Sequence, residues 1–163
     1  MLIHDPIHGY IELEGVFAKI IRTNEFQRLL RIKQLGLSNL VFPSTNHSRF
    51  EHSLGAYYLS TRFAKDLSEQ KSKEIKTAAL MHDIGHGPYS HVSEIILEKE
   101  NKSHEDISIK KVQSEPIRGL LEEADIDPSK VVNLIDGKDA LGDIIAGDID
   151  VDRMDYLMRD AHY

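Results

Sequence analysis

The stretch "MHDIGHGPYSH" at residues 81–91 sets three histidines, one aspartate and two glycines directly after the apolar run "TAAL". The apolar run predicts a buried helix over residues 72–85 that ends at Gly85. Imidazole and carboxylate groups near a core need partners, and together they suit Fe, Mn, Co or Zn. A lone His82–Asp83 pair is nevertheless more often structural, because histidine favours the negative end of a helix and aspartate there is solvated. On its own, the pair indicates a metal site only weakly.

The composition is that of one ordinary globular domain. The chain has 163 residues, of which 40% are apolar and 29% charged, and it carries a net charge of -7. No apolar run approaches the ~20 residues of a membrane span, and the N-terminus lacks a signal-peptide pattern. Cysteine is absent, which excludes a disulfide framework and thiolate metal ligands. We therefore expect a cytoplasmic protein with no membrane partner, and its acidity makes nucleic acid an unfavourable partner.

The rest of the pattern predicts a mostly helical chain. "DPIHGYIEL", residues 5–13, joins turn residues to an alternating run and predicts a small hairpin or edge strand. Ser48 and Glu51 are spaced as a capping box at the start of a helix. A further helix is predicted to begin at Pro88, and the last one is predicted over residues 139–162.

Two polar patterns flank the quoted stretch. In "HSRFEHSLG", residues 47–55, His52 lies one helical turn after Arg49, and either residue alone would ordinarily be a surface residue. In "GDIDVDRMDYLMRD", residues 147–160, charged side chains recur along one helix face, a pattern typical of a solvated stripe. The members of this stripe are Asp148, Asp152, Asp155 and Arg159. The segment starts like a calcium loop, but Arg153 stands where that loop needs glycine, which argues against calcium.

Taken together, these pieces resemble the HD superfamily of metal-dependent phosphohydrolases, in which the ligands follow the order H…HD…D. Within it, the chain is similar to the deoxynucleoside triphosphate triphosphohydrolase branch. The likeness rests on successive blocks that run from Asp5 to His162: "DPIHGYIEL", "FQRLLRIKQLG", "FPSTNHSRFEHSLG", "AALMHDIGHGPYSH" and "DIDVDRMDYLMRDAH". The resemblance implies an all-α fold, an HD-domain helical bundle with a small N-terminal β-hairpin.

The resemblance also implies one divalent metal ion, for which Mn, Fe, Mg, Co, Ni and Zn are all candidates. The implied ligands are His52, His82, Asp83 and Asp152. Two carboxylates would neutralise the ion, two imidazoles would add affinity, and the remaining positions would be left for water and a phosphate oxygen.

Catalytic and substrate-binding residues follow from the same resemblance. His91 matches the catalytic histidine and Glu94 its carboxylate partner, and their i, i+3 spacing would let Glu94 orient His91. Two more active-site histidines, matched as phosphate contacts, are His86 and His104. The implied substrate-binding residues are two arginines for the phosphates and three side chains for the sugar: Arg49, Arg153, Tyr156, Asp160 and Gln34.

The implied reaction is hydrolysis of a deoxynucleoside triphosphate, by attack of water on the α-phosphorus, to deoxynucleoside and inorganic triphosphate. Two alternatives stay open. One is another HD nucleotide phosphatase or phosphodiesterase, which the ligand set does not separate from the first. The other is a non-catalytic module that binds metal and nucleotide, because fold analogy does not settle chemistry.

The extent of the resemblance leads to expectations about the whole protein. We expect residues 1–163 to form a single HD domain, the N-terminal catalytic core of a longer family architecture, because "RDAHY" stops within a signature block. Apolar residues of the last predicted helix would then be partly bare, namely Met154, Leu157 and Met158. We therefore expect a homo-oligomer, most simply a symmetric dimer, with weak or absent hydrolysis of its nucleotide substrate compared with a full-length relative.

Overall fold

The computed structural model describes the backbone of all 163 residues and the side chains of residues 1–90 and 93–163. The chain is predominantly helical, and the strands form one two-stranded antiparallel sheet, so the all-α expectation with a small hairpin is confirmed. In the hairpin, β1 (Leu2–Asp5) pairs with β2 (Gly9–Glu12), in the register Leu2 to Glu12 and Asp5 to Gly9.

The helices follow the hairpin in chain order. They are α1 (Gly15–Ile20), α2 (Asn24–Gln27), α3 (Arg49–Phe63), α4 (Glu69–Met81), α5 (His91–Glu98), α6 (His104–Val112), α7 (Ile117–Glu123), α8 (Pro128–Ile135), α9 (Asp143–Ala146) and α10 (Val151–His162). Short 3₁₀ turns cover Arg28–Arg31, Ser38–Leu40 and Ala64–Asp66. Among the described residues, no helix is both long and apolar enough to cross a bilayer.

Helix α3 is the central element, because it packs against both α4 and α10. Its start is the predicted capping box. Ser48 Oγ accepts from the backbone N–H of Glu51 at 3.3 Å, and the Glu51 carboxylate accepts from the backbone N–H of Ser48 at 2.6 Å. Each side chain satisfies a donor that the first helical turn would otherwise leave unpaired. The cap therefore fixes where α3 begins, and with it the position of every side chain on the helix.

The core lies around α3 and α4 and continues under the short helices. Leu54 of α3 and Leu80 of α4 are buried, as are Phe26 of α2 and Ile20 of α1. The rings of Phe26 and Phe50 meet edge to face with centroids 5.4 Å apart, a favourable geometry for an aromatic pair. This packing anchors α3 and α4 so that their polar ends meet at one side of the core.

Three helix boundaries differ from the sequence prediction. Helix α4 ends at Met81, with His82 as its C-cap, so residues 82–85 leave the helix. Helix α5 begins at His91 rather than Pro88, because Tyr89 and Ser90 adopt φ of 66° and 49° and interrupt the helical backbone. The last predicted helix is broken into α9 and α10 at an extended glycine, Gly147, and α10 is restarted by the Asp150 cap.

We expect Ser48→Ala to lower the free energy of unfolding by about 1 kcal/mol, because the variant removes one half of the capping box. Urea denaturation followed by circular dichroism measures the change. Ser129→Ala, at an exposed position of α8, is the control and should stay within about 0.5 kcal/mol of the wild type. Equal stability of Ser48→Ala and the wild type would remove the capping box as a stabilising feature.

Candidate active site

The four side chains proposed as metal ligands lie together where α3, the end of α4 and the start of α10 meet. His52 Nε2 lies 3.0 Å from Asp152 Oδ1, 3.3 Å from His82 Nε2 and 3.5 Å from Asp83 Oδ2. His82 Nε2 also lies 3.6 Å from Asp83 Oδ1 and 3.8 Å from Asp152 Oδ1. Residues from three separate segments thus direct their donor atoms toward one small volume, and their role as ligands stays a prediction.

The donor set fits a divalent cation. One nitrogen or oxygen atom each from His52, His82 and Asp83 lies within 4.8 Å of the others, as one ion requires. His82 Nδ1 is hydrogen-bonded to the carbonyl oxygen of Ala79 at 2.8 Å, which leaves Nε2 directed into the cluster. Two imidazole nitrogens with two carboxylates suit Mn, Fe, Co or Zn, and the oxygen ligands also admit Mg. The cluster could therefore hold such an ion.

The charges of the cluster are set by its own members. Burial opposes ionisation of Asp83, but His82 and the Arg49 guanidinium, which contacts Asp83, hold the pKa of this carboxyl well below its usual range. Burial likewise opposes ionisation of Asp152, while hydrogen bonds from His52 and His82 lower its pKa. Burial lowers the pKa of His82, yet Asp83 and Asp152 outweigh this effect and raise it to about 9. Both carboxylates therefore stay ionised at neutral pH.

A cavity of about 400 Å³ opens onto Asp83 and Asp152. Most of the side chains predicted from the sequence to contact phosphate or sugar lie on its wall: Gln34, Arg49, His86, His104, Tyr156 and Asp160. Arg153 does not lie there. It is exposed, and its guanidinium donates to the carbonyl oxygen of Asp148 at 2.7 Å, because adjacent residues of a helix point about 100° apart and Asp152 faces the cluster. The predicted phosphate contact of Arg153 therefore stays a prediction that this cavity does not itself support.

A histidine pair borders the cavity beside Asp83. The rings of His86 and His104 stack with centroids 3.8 Å apart, and His86 Nε2 lies 3.3 Å from Asp83 Oδ1. Burial lowers the pKa of His86 to about 4, so its ring is neutral at pH 7. His104 Nδ1 contacts the Glu94 carboxylate. The side chain of His91 lies outside the described residues, so its expected pairing with Glu94 stays a prediction.

The sequence reasoning missed two buried members of the site. Asp155 and Arg159 were interpreted as part of a solvated stripe, but both are completely buried. Asp155 Oδ2 lies 2.7 Å from His52 Nδ1 and accepts from Arg159 Nε at 2.6 Å. Their i, i+4 spacing was a signal for a mutual ion pair, yet spacing alone does not tell a buried pair from a solvated one.

Comparison with known proteins places the chain in a family. A family model described as HD domain matches residues 49–160. The chain is 40% identical over 162 residues to an uncharacterized protein of Methanocaldococcus jannaschii, a match that covers 99% of this chain and 34% of that protein. It is 37% identical over 185 residues to a deoxynucleoside triphosphate triphosphohydrolase SAMHD1 homolog of Dictyostelium discoideum, covering 99% of this chain and 36% of the relative.

Solved structures agree with this placement. A hypothetical protein from Aquifex aeolicus superposes with a TM-score of 0.89 at 38% identity, covering the whole of this chain and 46% of that chain. A phosphohydrolase from Bacteroides thetaiotaomicron superposes with a TM-score of 0.85 at 36% identity, and the match covers the whole of this chain and 42% of that chain. The chain belongs to the HD-domain phosphohydrolase family, as the sequence motifs indicated. It spans about a third of the length of the two curated relatives named above.

We expect Mn²⁺ to raise the thermal midpoint of the wild-type chain by several degrees, since a ligand present at 100 times its Kd stabilises the folded state by about 2.7 kcal/mol. Asp83→Ala should lose this metal-dependent increase, because it removes one of the two carboxylates that face both histidines of the cluster. Differential scanning fluorimetry with added Mn²⁺ or a chelator measures the shift.

Asp148→Ala is the matched control for this measurement. Asp148 is an exposed carboxylate four residues before Asp152, and its variant should keep the full metal-dependent shift. An equal shift in Asp83→Ala and in the wild type would place the metal elsewhere.

Proposed function

We propose that this chain is a metal-dependent phosphohydrolase that cleaves a deoxynucleoside triphosphate to deoxynucleoside and inorganic triphosphate. The observation that carries the proposal is the His52–His82–Asp83–Asp152 cluster on a cavity whose wall also carries cationic, imidazole, hydroxyl and amide groups. Relatives support the substrate class, since the human deoxynucleoside triphosphate triphosphohydrolase SAMHD1 is 32% identical over 206 residues. That match covers 99% of this chain and 33% of the human protein.

In this proposal, His52, His82, Asp83 and Asp152 hold one divalent ion, with Mn, Fe, Mg, Co, Ni and Zn as candidates. When bound, such an ion supplies Lewis-acid chemistry: it lowers the pKa of water and neutralises charge on phosphate oxygens. The protein's own part is to hold two ionised carboxylates and two imidazoles beside the cavity, which favours a cation, while Arg49 on the wall attracts an anionic substrate.

Arg49 is the residue proposed to orient the phosphates. Its guanidinium is fixed from two sides, because Nε donates to Ser90 Oγ at 3.1 Å and Nη1 contacts the Asp83 carboxylate. Ser90 Oγ in turn donates to the carbonyl oxygen of Lys33 at 2.8 Å. A guanidinium held in this way presents its remaining N–H groups in a fixed direction, which favours recognition of a phosphate oxygen.

The leaving group needs a proton. Water attacks the α-phosphorus, the bond from phosphorus to the 5′-oxygen breaks, and the 5′-oxygen leaves as the hydroxyl of the deoxynucleoside. We assign proton donation to His91, with Glu94 as its carboxylate partner. His86 and His104 are assigned to the phosphate oxygens, since both lie on the cavity beside Asp83.

The sugar is assigned to the part of the wall formed by Gln34, Tyr156 and Asp160. Gln34 is 6% exposed, and its Oε1 has no hydrogen-bond partner in the part of the chain that the structure describes. A buried acceptor without a donor is unfavourable, so a hydroxyl group of a ligand would satisfy it. The phenol of Tyr156 and the carboxylate of Asp160 supply further polar contacts on the same wall.

The proposal extends to assembly. Leu157 and Met158 on α10 are exposed, which supports self-association of the single HD domain through this face. We propose a symmetric dimer, and light scattering of the purified chain reports its mass.

A product assay tests the reaction. We expect the metal-loaded chain to release triphosphate from at least one deoxynucleoside triphosphate, identified by ³¹P NMR against orthophosphate and diphosphate standards. Release of orthophosphate alone would instead identify the chain as a phosphatase. If the metal-loaded chain turned over neither deoxynucleotides nor ribonucleotides, it would be a non-catalytic binding module.

Variants separate chemistry from metal binding. His91→Ala should keep the metal-dependent thermal shift while losing about 10²- to 10⁴-fold in turnover, the range typical of a placed proton donor. Glu94→Gln should have a smaller effect of the same kind. Glu98→Gln, an exposed carboxylate one helical turn further along α5, is the matched control and should keep full turnover. Wild-type turnover in His91→Ala would remove this residue from the mechanism.

A further inference from the structure

A buried chain of ionic contacts connects the N-terminal hairpin to His52. Asp155 stands at its centre and faces three nitrogen donors: Oδ1 lies 2.6 Å from His8 Nε2, and Oδ2 lies 2.7 Å from His52 Nδ1 and 2.6 Å from Arg159 Nε. Asp155 and Arg159 are completely buried, and the His8 side chain is 4% exposed. A buried carboxylate with so many donors is fixed in orientation, because each contact restricts the same two oxygen atoms.

The far end of this chain is anchored in the hairpin turn. Arg159 Nη2 donates to Asp5 Oδ2 at 2.9 Å and to the carbonyl oxygen of Glu51 at 2.7 Å. Asp5 Oδ1 accepts from the backbone N–H groups of Ile7 and His8, both at 2.9 Å. The turn that carries His8 is thereby tied to Arg159, and both hold Asp155.

Helix α3 leaves room for this carboxylate at Gly55. A Cβ atom at this position would lie 1.7 Å from Asp155 Oδ1 and 2.6 Å from Arg159 Nη2, much closer than van der Waals contact allows. Any residue other than glycine would push Asp155 away from α3, and His52 lies on that same helix. The geometry of α3 and α10 therefore accommodates the Asp155–His52 contact specifically.

The contact decides which nitrogen of His52 carries the proton. A carboxylate paired with Arg159 is ionised and only accepts hydrogen bonds, so the facing Nδ1 of His52 donates. When the ring is neutral, its lone pair is then on Nε2, the atom that faces Asp152, His82 and Asp83. Carboxylates that hold the second nitrogen of a ligating histidine orient the ring and raise its basicity.

We propose that Asp155 is the positioning residue for His52, and that His8, Arg159 and Asp5 form the frame that holds Asp155. This inference rests on the proposed function, because it takes His52 as a metal ligand. It gives the "DPIH" turn at residues 5–8 a role in the site, although the turn lies outside the cluster and its cavity.

The first test compares metal affinity with stability. Isothermal titration with Mn²⁺ alone should give a Kd for Asp155→Asn about 10- to 100-fold weaker than that of the wild type. Gly55→Ala should weaken Mn²⁺ binding in the same direction, without changing any charge. Leu121→Ala, a buried position of α7 outside this cluster, is the control: it should lower the thermal midpoint and leave the Kd unchanged. Wild-type affinity in folded Asp155→Asn would overturn the proposal.

The second test needs no variant and no metal. ¹H–¹⁵N correlation spectra of the metal-free wild type, recorded with rising pH until the His52 ring has lost its second proton, should show the remaining proton on Nδ1. A proton on Nε2 would overturn the positioning role, whether or not the variants fold. If the wild type bound no divalent metal, the proposed function would fail, and the His52 spectrum would still decide the inference about Asp155.

Discussion

The close approach of α3 and α10 at Gly55 is the constraint on which the site depends. The space left by the missing side chain is filled by the Asp155 carboxylate and the Arg159 guanidinium, so a buried ion pair of α10 lies directly against α3 at this point. Breaking such a pair from one side is strongly destabilising, because a buried charge is left uncompensated. The same contact sets the distance between His52 on α3 and Asp152 on α10, two of the four proposed metal ligands.

The site combines this rigid frame with a more open wall. His52 and His82 are held through their second ring nitrogens by Asp155 and by the carbonyl oxygen of Ala79. Asp152 differs, since its side chain is 39% exposed and faces the cavity from the first turn of α10. A binding site of this kind presents an ordered cluster at its base while a substrate still has access, which suits an anion that must approach a cation closely.

Much of this arrangement could be predicted from the sequence, because it depends on local signals. The Ser48–Glu51 spacing located the start of α3, and the apolar run before His82 located the end of α4 within a few residues. The hairpin at "DPIHGYIEL" followed from its turn residues and alternation. These features are set by residues within one or two turns of each other, where periodicity and capping chemistry act directly.

The features of the site that could not be predicted depend on contacts between segments that are distant in the sequence. No local pattern around Asp155 predicts its contact with His8, which lies 147 positions away in the sequence. A stripe of charged residues on a helix also has the same spacing whether it faces water or protein. Glu94 was assigned to His91, whose side chain lies outside the described residues, and no spacing in the sequence indicated that Glu94 also contacts His104 on the next helix. Arg153 was assigned to the phosphates by resemblance, and no pattern in the sequence indicated that its guanidinium would be exposed and donate to the carbonyl oxygen of Asp148.

Because the members of the cluster are far apart in the sequence, the site is assembled late during synthesis and folding of the chain. His52 and Asp152 are a hundred positions apart, so the complete set of donors exists only after α10 has docked on α3. On the ribosome, residues 52, 82 and 83 emerge well before residue 152, and the partial cluster offers a cation two imidazoles and a single carboxylate. In the proposed metal site, the affinity of the nascent chain for a cation would therefore rise late, when α10 docks, because folding and metal binding are coupled.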